Sequence, residues 1–169
     1  MLNLPPDRRG LIHENDAASV KAFSAMIKET FKENLAAKAK VAASNVRAKD
    51  AKAFGPRNLL DGDRYTYWST DDPVTTPEVT FDMGKTVKFN VVRLRENIKL
   101  GQRIDSVALG QWKDAAWVTF AEATSIGACR LIRTKEDVST NRVRLRITKA
   151  AACPALSEFG IFLEAGAPA

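Results

Sequence analysis

The segment Asn58-Leu-Leu-Asp-Gly-Asp-Arg-Tyr-Thr-Tyr-Trp68 decides the fold class of this 169-residue chain. It places two aspartates, a glycine and a threonine in one short loop that runs directly into a tryptophan. Calcium prefers oxygen ligands of this kind, but Asp-Gly-Asp is also ordinary turn chemistry held by side-chain-to-backbone hydrogen bonds. The residues alone therefore leave a small cation site and a metal-free turn both open.

The chain on either side of this loop, from Val41 onward, alternates apolar and polar residues in short runs that turn residues interrupt. Such runs predict β-strands. They fall at 79–83, 89–95, 107–109, 117–121, 126–131, 143–147 and 159–163. Many short strands at this spacing indicate a mainly β chain built as an antiparallel sandwich or barrel.

The N-terminal part of the chain has a different period. Asn15 and Asp16 are candidate caps, and the apolar residues after them recur at steps of three and four, which predicts one amphipathic α-helix of about twenty residues. Such a helix needs an apolar partner surface, so we expect it to belong to something upstream. The apolar face comprises Val20, Phe23, Ile27, Phe31 and Leu35.

The loop and several later segments resemble discoidin domains, also called coagulation factor V/VIII C-type domains. The resemblance implies an antiparallel β-sandwich of the discoidin or galactose-binding-like type over roughly residues 41–164. One departure is the hairpin Gln111–Trp117, which lacks the Asp-Gly turn usual there. The matching residues are Asn58, Asp61, Gly62, Asp63, Thr66 and Trp68, with Phe81–Gly84, Asn90–Arg93, Val143–Ile147 and Leu156–Gly160.

A second resemblance concerns context. Asn3–Ile12 and the helix after it are similar to the end of the catalytic barrel of bacterial family 29 α-L-fucosidases. Residues 124–127, 130–133 and 152–159 are similar to the sandwich that follows that barrel. The resemblance implies that residues 1–37 are the last loop and helix of an upstream barrel plus a connector. Residues 38–164 would then form the sandwich and 165–169 a tail.

The same resemblance implies a chain without catalytic residues of its own, because both carboxyl groups of those fucosidases come from barrel segments. Its partners would be the upstream catalytic barrel and a glycan, and its location periplasmic or secreted. The competing interpretation is a free-standing discoidin-type adhesion or protein-interaction module.

The discoidin resemblance also brings Glu158 of the final strand beside the first loop. Asp61, Asp63, Thr66 and Glu158 would then hold one structural calcium ion that ties the loop to the last strand. The metal-free turn stays open beside this prediction.

Trp112 is the candidate ligand-binding residue. It lies near a turn, where an exposed indole could stack on a sugar ring, although it could equally cap the end of the sandwich. Trp68 and Trp117 are expected in the core. The stripe Arg142, Arg144 and Arg146 suits either an acidic sugar or a solvent-facing strand kept soluble by charge.

Composition excludes other classes. Twenty-six Lys and Arg against twenty Asp and Glu give a formal charge of +6, but they are spread along the chain, which argues against nucleic acid. No run reaches the roughly 20 apolar residues of a membrane span. The two cysteines, Cys129 and Cys153, are expected as small buried residues without a bridge, and His13 is expected to serve the start of the helix.

Overall fold

The computed structural model describes residues 4–164 and confirms an antiparallel β-sandwich preceded by one long helix. The predicted tail, 165–169, lies outside the described residues. Across the described part, no helix combines the length and apolar character that crossing a bilayer requires. The elements are α1 (Glu14–Thr30), β1 (Lys40–Ala43), α2 (Ala51–Phe54), β2 (Trp68–Ser69), β3 (Glu78–Glu96), β4 (Ile104–Lys113), β5 (Ala116–Thr124), β6 (Arg130–Ala150) and β7 (Ala155–Phe162).

Two long strands, β3 and β6, pass through both layers of the sandwich. The first part of β3 pairs with β1 and with the second part of β6. The second part of β6 also pairs with β4, and β4 pairs with β5. The later part of β3 pairs with the first part of β6 and with β7. The register shifts between Asp82 and Val87, around Gly84 at φ +71°, so the turn predicted there is a bend within one strand.

The apolar residues of the alternating runs meet between the two layers. Phe81 of β3 and Phe159 of β7 stack with ring centroids 3.8 Å apart, and Trp68 is fully buried, as expected. Alternation along each strand sends one set of side chains inward. The prediction of strand at Ile126 and Ala128 is wrong: both lie in the turn between β5 and β6, where Ile126 is buried without belonging to a strand.

The helix starts one residue earlier than its predicted caps. Nδ1 of His13 accepts a hydrogen bond from the backbone N–H of Asn15 at 3.2 Å, which confirms the start-of-helix role for His13 and makes Asn15 and Asp16 part of the first turn. Helix α1 ends at Thr30, so Leu35 lies beyond it.

The segment after the helix joins the sandwich through Asn34. Its side-chain amide donates to the carbonyl of Phe159 at 3.0 Å, and its Oδ1 accepts from the N–H of Ile161 at 3.1 Å. The N–H of Leu35 donates to the carbonyl of Ile161 at 3.0 Å. These bonds use backbone groups of β7 that β3 leaves free, so the end of the helix is attached to the last strand.

Candidate functional site

The loop between α2 and β2 brings three of the four predicted calcium ligands together. The hydroxyl of Thr66 donates to Oδ2 of Asp61 at 2.6 Å and to the carbonyl of Asp63 at 3.0 Å. Oδ1 of Asp61 accepts from the N–H of Asp63 at 2.8 Å, across Gly62 at φ +78°. The loop therefore has the turn chemistry that the sequence left open and also gathers several oxygen atoms.

Glu158, the fourth predicted ligand, is held by arginines. Its Oε2 lies 2.7 Å from Nε of Arg95, and its Oε1 accepts from Nε of Arg93 at 2.7 Å. Within residues 4–164, no three His, Cys, Asp or Glu side chains come together as they would around a metal ion. The loop oxygens thus fit part of a calcium shell, while Glu158 neutralises two guanidinium groups.

The loop is fixed from both sides by amide side chains. Nδ2 of Asn58 donates to the carbonyls of Ala53 at 2.9 Å and Tyr67 at 3.0 Å. Nδ2 of Asn97, which follows β3, donates to the carbonyl of Tyr65 at 3.3 Å. The conformation of the loop therefore depends on contacts within the protein, whether or not a cation adds to them.

Glu96 is a buried structural carboxylate that the strand pattern concealed. It lies at the end of β3 and is 3% exposed. Its carboxylate accepts from the backbone N–H groups of Arg103 at 2.8 Å, Ile104 at 3.0 Å and Gly127 at 2.7 Å. A buried carboxylate is stable where several donors face it, so Glu96 fixes two loops at this end of the sandwich. Its position after an arginine in an apolar run was the only sequence signal.

Trp112 stands at the end of β4, opposite Trp117 on β5. Both rings are half-buried and pack edge to face, with centroids 5.2 Å apart. The expectation of Trp117 in the core is wrong, because its ring lies outside the sandwich with Cζ of Arg144 4.7 Å from its centroid. The hairpin turn uses Asp114 at φ +49° and Ala115 at φ +60°, so it keeps a two-residue left-handed turn without glycine.

The arginine stripe of β6 is largely neutralised by acids of β3. Arg142 Nε lies 3.2 Å from Asp82 Oδ2, and Arg144 Nη1 lies 3.3 Å from Glu78 Oε2. The register places Asp82 directly opposite Arg142, whereas Glu78 is opposite Arg146 and reaches Arg144 diagonally. Cross-strand ion pairs on a solvent face favour the structural explanation of the stripe.

A cavity of about 240 Å³ lies beside β2, and Cys153 is one of its lining residues. Its buried thiol lies 3.2 Å from Nη1 of Arg103 and 3.6 Å from Oδ1 of Asp72. Arg47 donates to the same oxygen at 2.6 Å, and this bond lowers the pKa of Asp72. Both cysteines are unpaired, but Cys129 is exposed, against the expectation that it would be buried.

The apolar face of α1 is covered only at its C-terminal end. Phe31 packs edge to face on Phe162 at 4.9 Å, whereas Phe23 is 52% exposed. A groove of about 290 Å³ separates the helix from the sheet edge. It is lined by Phe23, Met26, Ile27, Thr30 and Phe31 of the helical segment, by Val91, Leu131 and Arg133 of the sheet, and by Glu164.

The architecture is thus an antiparallel β-sandwich with the candidate site residues in its end loops and on one outer face. A family model described as the F5/8 type C domain matches residues 40–159. The chain belongs to this family, and the predicted discoidin fold is confirmed.

Relatives of known sequence and structure agree with the second resemblance. Alpha-L-fucosidase 1 of Arabidopsis thaliana is 33% identical over 97% of this chain, and a GH29 fucosidase of Ruminococcus gnavus, solved in complex with fucose, is 33% identical over 98% of it with a TM-score of 0.88. The match covers 33% and 34% of those two proteins, so the chain spans about a third of the length of the curated relatives it matches. A chitosan-binding module of a Paenibacillus species, 20% identical over 76% of this chain and 97% of the module with a TM-score of 0.66, shares the fold.

Proposed function

We propose that this chain is a non-catalytic accessory domain of an α-L-fucosidase-like glycoside hydrolase, periplasmic or secreted, and that it braces an upstream catalytic domain. The observation that carries the proposal is the open groove between α1 and the sheet. Relatives with fucosidase names extend well beyond the matched third, which supports a covering domain in the same polypeptide.

The chemistry of the groove suits a covering protein surface. The side chains of Phe23, Met26 and Ile27 are 52%, 39% and 37% exposed and lie together on one helix. Single exposed apolar residues are common, but a contiguous exposed apolar patch is typical of an interaction surface. Glu164 adds a carboxylate oxygen that needs a hydrogen-bond donor. Its Oε1 lies 2.7 Å from Nη2 of Arg133, but its buried Oε2 has no hydrogen-bond partner within the described range 4–164. A covering domain would bury the apolar side chains and donate to this oxygen.

Hydrogen exchange tests the bracing role. We expect the amides of α1 and of the sheet edge near Leu131 to exchange more slowly in the full-length enzyme than in the isolated chain. Phe23→Ser and Glu164→Gln in the full-length enzyme should reduce that protection. Val118→Ser, at an exposed apolar residue of β5, is the matched control. Equal exchange in both contexts would contradict the proposal.

The absence of catalysis is tested separately. The isolated chain should not hydrolyse an aryl α-L-fucoside, because a glycosidase needs two carboxyl groups placed across the scissile bond and the proposal assigns both to upstream segments. Turnover by the purified chain that survives a change of expression host would contradict this assignment.

The free-standing module makes a different prediction about the same helix. An adhesion or protein-interaction module would cover the apolar face of α1 with a second copy. Light scattering of the isolated chain distinguishes the two: a monomer supports the accessory domain, and a stable dimer that Phe23→Ser dissociates supports the module.

Glycan binding is a second candidate function, and the observation that favours it is the pair of half-buried indoles, Trp112 and Trp117, on the outside of the sandwich. Aromatic rings with one open side and polar neighbours suit sugar rings, which have apolar and hydroxyl-bearing surfaces. An array of neutral and acidic glycans, read with and without a chelator, tests this function directly.

A further inference from the structure

The indole of Trp117 lies against the outer surface of the sheet. It crosses β4 at Gly110, where a Cβ would stand 3.7 Å from Cε3 of the indole. Gly110 is in register with Arg144 of β6, and the guanidinium carbon of Arg144 lies 4.7 Å from the ring centroid. The indole therefore lies within van der Waals contact distance of β4 at Gly110. The indole is half-buried, so part of the ring stays accessible on the outer surface of the sheet.

A groove of about 260 Å³ begins at this ring and runs across the sheet toward β1. Its polar groups are the Thr80 hydroxyl, the Lys40 ammonium and the ion pair in which Arg142 Nε lies 3.2 Å from Asp82 Oδ2. The side chains of Arg142 and Asp82 are 45% and 33% exposed, so both keep accessible hydrogen-bonding atoms. Val41 and Ala42 complete the lining with apolar surface.

We infer that this groove binds a short neutral saccharide, with one pyranose ring stacked on Trp117 and the hydroxyls of the next directed at Arg142 and Asp82. A sugar hydroxyl both donates and accepts, so adjacent hydroxyls match a carboxylate beside a guanidinium. Arg142 and Asp82 carry one charge of each sign, and Lys40 adds a positive charge at the β1 end of the groove. A sulfate placed against the ion pair would meet the like charge of Asp82, whereas neutral hydroxyls would not.

The inference rests on the proposed glycan-binding function and assigns it a different location from the hairpin end at Trp112. On the sheet face, the half-buried Trp117 ring is itself part of the lining of a polar groove. Trp112 contributes by packing its edge on Trp117 at 5.2 Å, so its role here is to hold the platform.

The test begins with an array of immobilised neutral fucosylated, galactosylated and glucosylated oligosaccharides, followed by calorimetric titration of the strongest binder. Trp117→Ala and Arg142→Ala should each weaken binding about tenfold or more, a loss within reach of one stacking contact or one charged hydrogen bond. Trp117→Phe should weaken it less, because an aromatic ring remains. Arg146→Ala removes a charge from the same strand and face, outside the groove lining, and should leave affinity unchanged.

Melting temperatures identify variants that fail to fold. If Trp117→Ala destabilises the hairpin, the affinity of Arg142→Ala still tests the groove. No binding of any neutral saccharide by the wild-type chain would overturn this inference, and no binding of acidic glycans either would overturn the glycan function as well. Binding that survives Trp117→Ala and Arg142→Ala but is lost in Trp112→Ala would overturn the sheet-face site alone.

Discussion

Glu96 and Gly127 are joined by two hydrogen bonds of opposite direction. The N–H of Gly127 donates to Oε2 of Glu96 at 2.7 Å, and the N–H of Glu96 donates to the carbonyl of Gly127 at 3.0 Å. The other carboxylate oxygen of Glu96 accepts from Arg103 and Ile104. One side chain therefore connects the end of β3, the start of β4 and the turn before β6.

Glu96→Ala should strongly destabilise the fold. It would leave three backbone N–H groups at a largely buried position without their acceptor, each at a cost of about 1–3 kcal/mol if water cannot replace it. Chemical denaturation measures the change in the free energy of unfolding. Glu136→Ala, at an exposed residue of β6, is the matched control and should change it by less than about 0.5 kcal/mol. Equal effects of the two substitutions would show that Glu96 is not the structural link described.

Ala115→Gly should stabilise the β4–β5 hairpin. Ala115 has φ +60°, a conformation that costs an L-residue about 1–2 kcal/mol and glycine almost nothing. The greater freedom of glycine in the unfolded chain offsets part of this gain, so we expect a net increase of about 0.5–1 kcal/mol in the free energy of unfolding. Ala116→Gly, one residue later in β5, should instead lower it. A lower melting temperature for Ala115→Gly would contradict the left-handed turn.

Calcium should raise the melting temperature if the loop at Asp61 holds the ion. A chelator should reverse the rise, and magnesium at the same concentration should not reproduce it, because it requires a stricter octahedral shell. In this case Asp61→Ala should abolish the response to calcium.

The same substitution separates the metal from the turn. Asp61→Ala also removes the acceptor for the Thr66 hydroxyl and the Asp63 N–H, so it should lower stability even in chelator. A wild-type melting temperature unaffected by calcium and chelator, together with a destabilised Asp61→Ala variant, would leave the loop as a metal-free turn and overturn the calcium prediction.

Stability should fall in acid through the two aspartates that follow Thr70. The backbone N–H of Ala48 and the side chain of Asn45 lower the pKa of Asp71, and the hydrogen bond from Arg47 lowers that of Asp72. A depressed folded-state pKa contributes stability above the unfolded value of about 3.9, and that contribution is lost as pH falls through the folded-state pKa.

Melting temperatures measured from about pH 6 down to about pH 2.5 test this linkage. Asp71→Asn should flatten the acid decline, because the amide that replaces the carboxylate cannot titrate. A wild-type curve that is flat below about pH 4 would contradict the linkage.

The sequence predicted the sandwich better than it predicted the candidate sites. Alternation predicted most of the strands because the period of two reports which side chains enter the core. It failed at Ile126, which is buried in a turn, since apolar burial there does not require a strand. It also misplaced Trp117, whose ring rests on Gly110 outside the core, because β-alternation cannot distinguish an inner from an outer aromatic residue.

The sequence by itself determined the sandwich, the helix and the turn chemistry of the loop at Asp61, because these follow from local periodicity and short-range hydrogen bonds. Only the tertiary structure decided that Glu158 neutralises Arg93 and Arg95 and that Glu96 joins three segments. Glu158 is 65 residues from Arg93, and Gly127 is 31 residues from Glu96, so these contacts form only when the strands pair. The loop from Asn58 to Trp68 thus specifies its own turn. Whether Glu158 faces that loop or the arginines of β3 depends instead on the register of β3 and β7.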